Sequence, residues 1–519
     1  MMAHSFENKN KRNIFDGIMS IYTLIIMCVF PVVYDNFYFN ILETKYRFYC
    51  IAAIAMMVVM FVYGMYTNKL IDGLKGFQIK KAAKSLTVVD WAVLAFWFAN
   101  VVSWIFCKWR WEAFWGTSGR YNGVFLITIY LIVYFMTTRF FVLKRMHLDA
   151  FLLVSILVCL FGISDYFQMD LLGFKIMMLD EQKALYTSTL GNINTYTIYV
   201  AVVLCVSMIL YVLENCKKRM VYYFSVMAIA MVALIVGASD NAYLSLAALF
   251  GLSPLILFHK KSWIRRYLTC VALFVTVIVF VGWINTAYAE RVYGLDSIFV
   301  ILSDLEFLPV VAMTLWVFVI GWGAIVAKKD NKKDEIGNGL IIAWMAMIAI
   351  IAVAVGYVLY DANLAGNAEK YDAIKNYVVF NDEWGTRRGY VWIRSVDLYS
   401  QIFTPIQQLF GYGADTFKLL MVQYYPPENG VVFDNAHNEY LHFLMTTGLV
   451  GVASYIVLLV TSVYTMFKAI KNSPEVVAIM FVVLAYAIQA IVNINLPVVF
   501  PLIWQLLAMG LCKGVEEKE

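Results

Sequence analysis

Apolar runs of roughly twenty residues follow one another almost without pause from Ile14 to Cys512. In hydrocarbon every backbone N–H and C=O must find its partner within the chain, and an α-helix of about 20 residues both satisfies them and crosses a bilayer. Soluble domains are about half apolar and about a quarter charged. Here 62% of the 519 residues are hydrophobic and only 14% charged, so the bilayer is the expected solvent. The expected fold class is all-α, a polytopic membrane protein of about fourteen transmembrane helices with one large extracytoplasmic loop.

Expected spans lie at 14–34, 48–67, 87–107, 122–142, 149–166, 192–213, 220–237, 241–258, 265–285, 307–327, 339–360, 447–467, 475–492 and 496–512. Lys and Arg crowd every second gap, for example Lys80, Lys81 and Lys84, then Lys144 and Arg145, then Lys217, Lys218 and Arg219. The positive-inside rule turns this alternation into an even helix count with cytoplasmic termini. One gap departs from it, because 108–121 should face outward yet holds Lys108, Arg110 and Arg120. The first apolar segment lacks a small-residue cleavage site and reads as a retained helix. A net charge of +5 confined to short loops gives no nucleic-acid signal. The eight cysteines show no CxxC spacing, which gives neither a zinc site nor a disulfide framework.

The chain therefore divides into helices 1–11 over 1–360, a large outward loop over 361–446, and helices 12–14 with a cytoplasmic tail over 447–519. Between Asp361 and Asn435 the loop carries nine acids against six bases. Trp384, Tyr390, Trp392, Tyr399, Phe410 and Phe417 make it too aromatic for a disordered tether, so it reads as a small folded cap on the membrane.

Five groups of residues are candidates for chemistry. Arg387-Arg388-Gly389-Tyr390-Val391-Trp392-Ile393-Arg394 would, on a helix, set Arg387 and Arg394 on one face and Arg388 with Trp392 on another. Asp382, Glu383 and Asp397 offer these arginines ordinary ion pairs, while a guanidinium fork also grips a diphosphate. Asp434-Asn435-Ala436-His437-Asn438-Glu439-Tyr440-Leu441-His442 places imidazoles where the loop enters a helix. An interfacial histidine with a satisfied ring explains one such residue, whereas polar crowding against a span is costly and marks function. His437 can act as a base or hydrogen-bond donor near neutral pH. Gly448 and Gly451 follow and would permit close helix packing. Gly191-Asn192-Ile193-Asn194-Thr195 opens the sixth span, where Asn194 or Thr195 can serve as helix cap. Trp115 to Gly123 suggests a tight re-entrant turn, with Arg120 able to snorkel. Ser239-Asp240-Asn241 at the tip of a short hairpin is explained by an ordinary turn.

In this order the five groups resemble the O-antigen ligase/O-antigen polymerase superfamily of bacterial envelope glycosyltransferases over roughly residues 110–470. Members show a Gly-Asn-Pro-Asn-like element (here Gly191 to Asn194), then an outward loop with arginines, Trp and a Gly-x-Gly turn (here Gly411-Tyr412-Gly413). His-Asn-x-x-Leu, matched by His437-Asn438-Glu439-Tyr440-Leu441, closes that loop. Many relatives carry a Ser-Arg pair outside the next hairpin, whereas this chain has Ser239-Asp240-Asn241 there. The charge must then come from Arg120 or the loop arginines, unless the substrate is handled differently.

The resemblance implies a GT-C-like membrane glycosyltransferase that moves a glycan from an undecaprenyl-diphosphate carrier to an acceptor glycan, lipid or protein outside the cytoplasmic membrane. It implies no metal and no cofactor. His437, Arg387, Arg388 and Arg394 would be catalytic, with Arg120, Asn192, Asn194, Asn438 and His442 binding substrate. Two other classes stay open. A metal-dependent lipid-linked glycosyltransferase would want clustered acids in the first outward loop, where Asp35 and Glu43 stand isolated. A transporter or flippase would place charges within spans and show inverted repeats.

Overall fold

A computed structural model of the protein describes residues 14–117, 119–295, 298–328, 334–426, 432–469, 473–512 and 514–515. The expected cytoplasmic charges Lys9, Lys11, Arg12, Lys329, Lys332, Lys333, Lys471, Lys513 and Lys518, with Ser118 and Glu428, lie outside these residues.

Among the described residues nine helices are long and apolar enough to cross a membrane: α1 (Ile14–Val32), α2 (Ile41–Tyr66), α3 (Val88–Phe106), α5 (Arg145–Tyr166), α6 (Ile193–Leu213), α7 (Lys217–Val236), α9 (Lys261–Ala287), α11 (Gly339–Asn363) and α15 (Glu439–Lys468). Five shorter apolar helices, α4 (Val124–Phe140), α8 (Asn241–Leu257), α10 (Leu308–Gly323), α16 (Pro474–Gln489) and α17 (Phe500–Gly510), overlie the other expected spans. The loop contributes α12 (Trp384–Asp397), α13 (Pro405–Phe410) and α14 (Phe417–Tyr424). Among the described residues the strands are two-residue pairs. Val142–Leu143 runs parallel to Gly514–Val515, and Tyr186–Thr187 runs antiparallel to Gly191–Asn192.

Helix α6 has no charged residue and is apolar on all sides, so it can sit at the centre. Its whole span is buried, against α7, α16 and α8. By contrast α11 has none of its span buried, and Ile350 and Val353 are 69% and 73% exposed. In water such a face would cost about 25 cal/mol per Å² of apolar surface, whereas lipid tails solvate it. This is a multi-pass membrane protein.

Helix ends follow local chemistry. Thr87 and Asp90 form a capping box at α3. α1 stops at Phe30 and Pro31, whose carbonyls both accept from the buried Lys45 Nζ at 2.9 Å. The large loop before α15 has its own small core, including Val391, Leu398, Phe403, Phe417 and Leu420. It joins the bundle where two glycines cross. Gly411 and Gly448 both have positive φ, and a side chain on either would collide with the backbone of the other segment. Tyr412 N and Gly413 N donate to Met445 O and Thr446 O at 3.0 and 3.1 Å. Helix α15 already begins at Glu439, ahead of the expected span, and breaks at Gly448. Gly448 thus allows a close backbone approach, while the nearest atoms at Gly451 belong to Thr447 of its own helix.

Candidate active site

His437 stands immediately before α15, in the left-handed region at φ 49°, with its amide donating to Asn435 Oδ1 at 2.8 Å. Asn438 caps the helix, accepting from Leu441 N at 3.0 Å. Burial lowers the His437 pKa to about 4, and the positive charges of Arg388 and Arg120 push the same way against Asp434. The imidazole is therefore neutral near pH 7, set in the field of two cations from distant parts of the chain.

Arg388 reaches this place because α12 is pinned over it. Trp392, one turn on and on the same face, donates to Ala436 O at 2.8 Å. The Arg388 guanidinium approaches Asn241 Oδ1 at 3.5 Å, and burial lowers its pKa against the pull of Asp240. The hairpin tip at 239–241 is thus more than an ordinary turn. Asn241 is fully buried, and Ser239 Oγ donates to Asn194 Oδ1 at 2.7 Å. Where many relatives of the resembled superfamily have an arginine in the hairpin, here an arginine arrives from the loop.

Arg120 does not snorkel. It is 8% exposed, it pairs with Asp434, and its Nε finds no partner among the described residues. Its turn is held by Asp415, whose Oδ2 accepts from Thr117 N at 2.8 Å and Asn122 N at 3.0 Å. Burial raises the Asp415 pKa to about 7, opposed by those amides and by Arg120.

The other expected residues are placed differently. Arg387 does not share a face with Arg394 through regular helix geometry, because Gly385, Thr386 and Arg387 all have left-handed φ and the regular helix starts after them. Both guanidiniums instead lie against the Tyr390 ring, at 5.7 and 4.8 Å. Arg387 is exposed, beside Phe433. Arg394 has the ordinary ion pairs, to Asp382 at 3.4 Å and Asp397 at 3.9 Å. Asn192, not Asn194 or Thr195, caps α6, with its Oδ1 accepting from Asn194 N at 2.9 Å. His442 is buried in α15 against the Phe417 ring, and its Nδ1 has no partner among the described residues.

Residues 292–456 match the family model described as O-antigen ligase. That segment is similar to the O-antigen ligase family domain. No curated protein matches the chain. The domain holds Arg387, Arg388, Arg394, His437, Asn438 and His442, while Arg120, Asn192, Asn194 and Asn241 come to it from earlier helices. The match agrees with the superfamily resemblance carried by the sequence motifs and fits a multi-pass protein of the bacterial inner membrane acting in polysaccharide assembly.

The roles of three residues escaped sequence reasoning, although Asp434 and Asn241 stood within candidate groups. Asp434 pairs with a residue 314 positions away, a contact that no local pattern announces. Asp415 lies two residues beyond Gly413, and only that closeness to a Gly-x-Gly turn hints at it. Asn241 looked like turn polarity until Arg388 was seen against it.

Proposed function

We propose that the protein transfers a glycan from an undecaprenyl-diphosphate carrier to an acceptor hydroxyl at the outer face of the membrane, as a fourteen-span enzyme of GT-C-like architecture with cytoplasmic termini. The observation that carries the reading is the burial of His437 in the field of Arg388 and Arg120 where the loop enters α15. A polyprenyl tail must stay in the hydrocarbon, so its diphosphate lies at that depth.

In the reaction the acceptor oxygen attacks the anomeric carbon, and the bond from that carbon to the diphosphate oxygen breaks. The diphosphate leaves with the electron pair, and Arg388 and Arg120 stabilise its charge. The hydroxyl proton passes to His437. A pKa of about 4 makes a weak base, but a bound diphosphate offsets the two cations that help depress it, so substrate raises the basicity where it is needed. Asn438 opens α15 beside His437, His442 lies buried one turn deeper, and Asn194, whose helix Asn192 caps, holds the hairpin that meets Arg388. Arg387 and Arg394 serve the rim.

No metal enters this scheme. The nearby acids are already engaged, Asp434 by Arg120 and Asp415 by backbone amides. The test is product formation by the purified protein from a lipid-diphosphate glycan with and without EDTA. Undiminished turnover is expected. Activity that vanishes with EDTA and returns with Mg²⁺ or Mn²⁺ would move the protein to the metal-dependent class.

A further inference from the structure

A polar cavity of about 280 Å³ adjoins Ile193 at the start of α6, lined by Asp165, Lys175, Thr187, Ile193, Ala238 and Tyr293. Two of its side chains are buried charges that do not meet. Lys175 is 3% exposed, with its ammonium 4.5 Å from the centre of the Tyr293 ring. Among the described residues its Nζ has neither a hydrogen-bond acceptor nor a carboxylate within ion-pair distance, although Asp165 and Asp170 act on it through space. Asp165 is 1% exposed. Its Oδ2 is taken by Ser188 N at 2.6 Å and the Tyr38 hydroxyl at 3.3 Å, while its Oδ1 has no partner.

Buried polar groups in native proteins are nearly always paired, so an ammonium without an acceptor and a carboxylate oxygen without a donor, on two residues that line one cavity, call for a ligand. An anion would be drawn to Lys175 and repelled by Asp165, and a cation would meet the reverse. A neutral ring bearing several hydroxyls satisfies both, giving hydrogens to the carboxylate and lone pairs to the ammonium. The volume sits at the lower end of small-ligand cavities, about 300 Å³, which suits a single ring.

We infer that the Asp165–Lys175 cavity binds one neutral pyranose unit of the glycan. The ligand class rests on the function proposed above. The position suits it, since Ala238 adjoins Ser239, which bonds Asn194, and the same hairpin meets Arg388 through Asn241. A glycan with its reacting end at Arg388 and His437 has one of its units here, whether it is the donor's chain or the acceptor's.

The test uses the full-length protein in detergent and methyl glycosides of glucose, galactose and N-acetylglucosamine as probes, with binding read by saturation-transfer NMR. At least one glycoside is expected to bind. Lys175→Met and Asp165→Asn should each weaken it by about tenfold or more, as loss of a hydrogen bond to a charged group does. Ala184→Trp, a change at the exposed rim that touches neither charge, should block it as well and guards against misfolding of the first two variants. Arg388→Ala should leave it intact, so binding stands or falls apart from transfer activity. Displacement of the probe by the lipid-linked glycan that weakens in Arg388→Ala assigns the unit to the donor, and displacement indifferent to that change assigns it to the acceptor. No binding of any glycoside, or binding unaltered in all three cavity variants, overturns the inference.

Discussion

The two ends of the helix bundle differ in how fully their buried charges are matched by opposite ones. At the end with the basic loops, opposite charges meet directly. Arg145 reaches Glu214 at 2.7 Å and Glu475 at 3.2 Å, and Asp90 takes Arg139 at 2.6 Å and the Tyr134 hydroxyl at 2.9 Å. At the other end Arg120 meets Asp434, but Arg388 has only an amide oxygen at 3.5 Å, and among the described residues Arg120 Nε and His442 Nδ1 have no partner, as Arg145 Nη1 has none at the basic end. Backbone strain divides the same way. Of the twelve non-glycine residues with positive φ among those described, only Asn68 lies in a basic gap, while Tyr121, Ala238, Thr386, Arg387, Asp415 and His437 surround the candidate site. Strain and unmet polar groups persist where the surrounding fold over-determines them, and they gather at functional sites. One end is built to hold the bundle together and the other to hold something else.

That contrast makes the largest expected effect one of stability at the basic end. Replacing Glu214 and Glu475 together by alanine strands Arg145 and should cost roughly 3–5 kcal/mol, the usual penalty for breaking a buried pair. It should show as a lower melting temperature in detergent, with normal turnover per folded molecule. A variant with unchanged melting would erase the distinction between the two ends.

Arg388→Ala should do the reverse, lowering transfer about 10²–10³-fold with little change in melting. Arg388→Lys should rescue poorly, because an ammonium lacks the planar fork. Arg394→Ala removes only partly exposed ion pairs, worth about 0–1 kcal/mol, and should cost transfer far less. Equal losses at the two positions would show that the site is not centred on Arg388.

The last effect concerns pH. The His437 pKa is about 4 in the folded protein against an ordinary 6.5, so as pH falls through 6.5 the unfolded chain takes up a proton that the folded one refuses. Stability conferred by the rest of the protein is therefore eroded between pH 6.5 and about 4, and His437→Gln should remove that part of the pH dependence. Melting curves of the two proteins that stay parallel across this window would show that His437 titrates normally.

Much of this was legible in the sequence. Hydrophobic runs long enough to span a bilayer located the helices, because the bilayer fixes their length and composition. Each of the fourteen expected ranges overlies an apolar helix, nine long and five shorter. His437 was marked by its crowding against a span, and the shared face of Arg388 and Trp392 follows from four-residue spacing. What was not legible depends on tertiary contact or on local backbone. The left-handed turn at Gly385 to Arg387 takes Arg387 off the helix. Arg120 changes from a snorkelling residue to a buried one only because Asp434 lies opposite. A two-residue hairpin tip gives no sign that an arginine from elsewhere will rest on it.

The most direct test is single-enzyme turnover of His437→Ala with a purified lipid-diphosphate glycan, measured beside its melting curve. The account predicts a folded, inserted protein whose transfer rate falls about 10²–10³-fold, with His442→Ala less affected. Near-normal turnover by His437→Ala would contradict it and remove the junction of loop and α15 as the site of transfer.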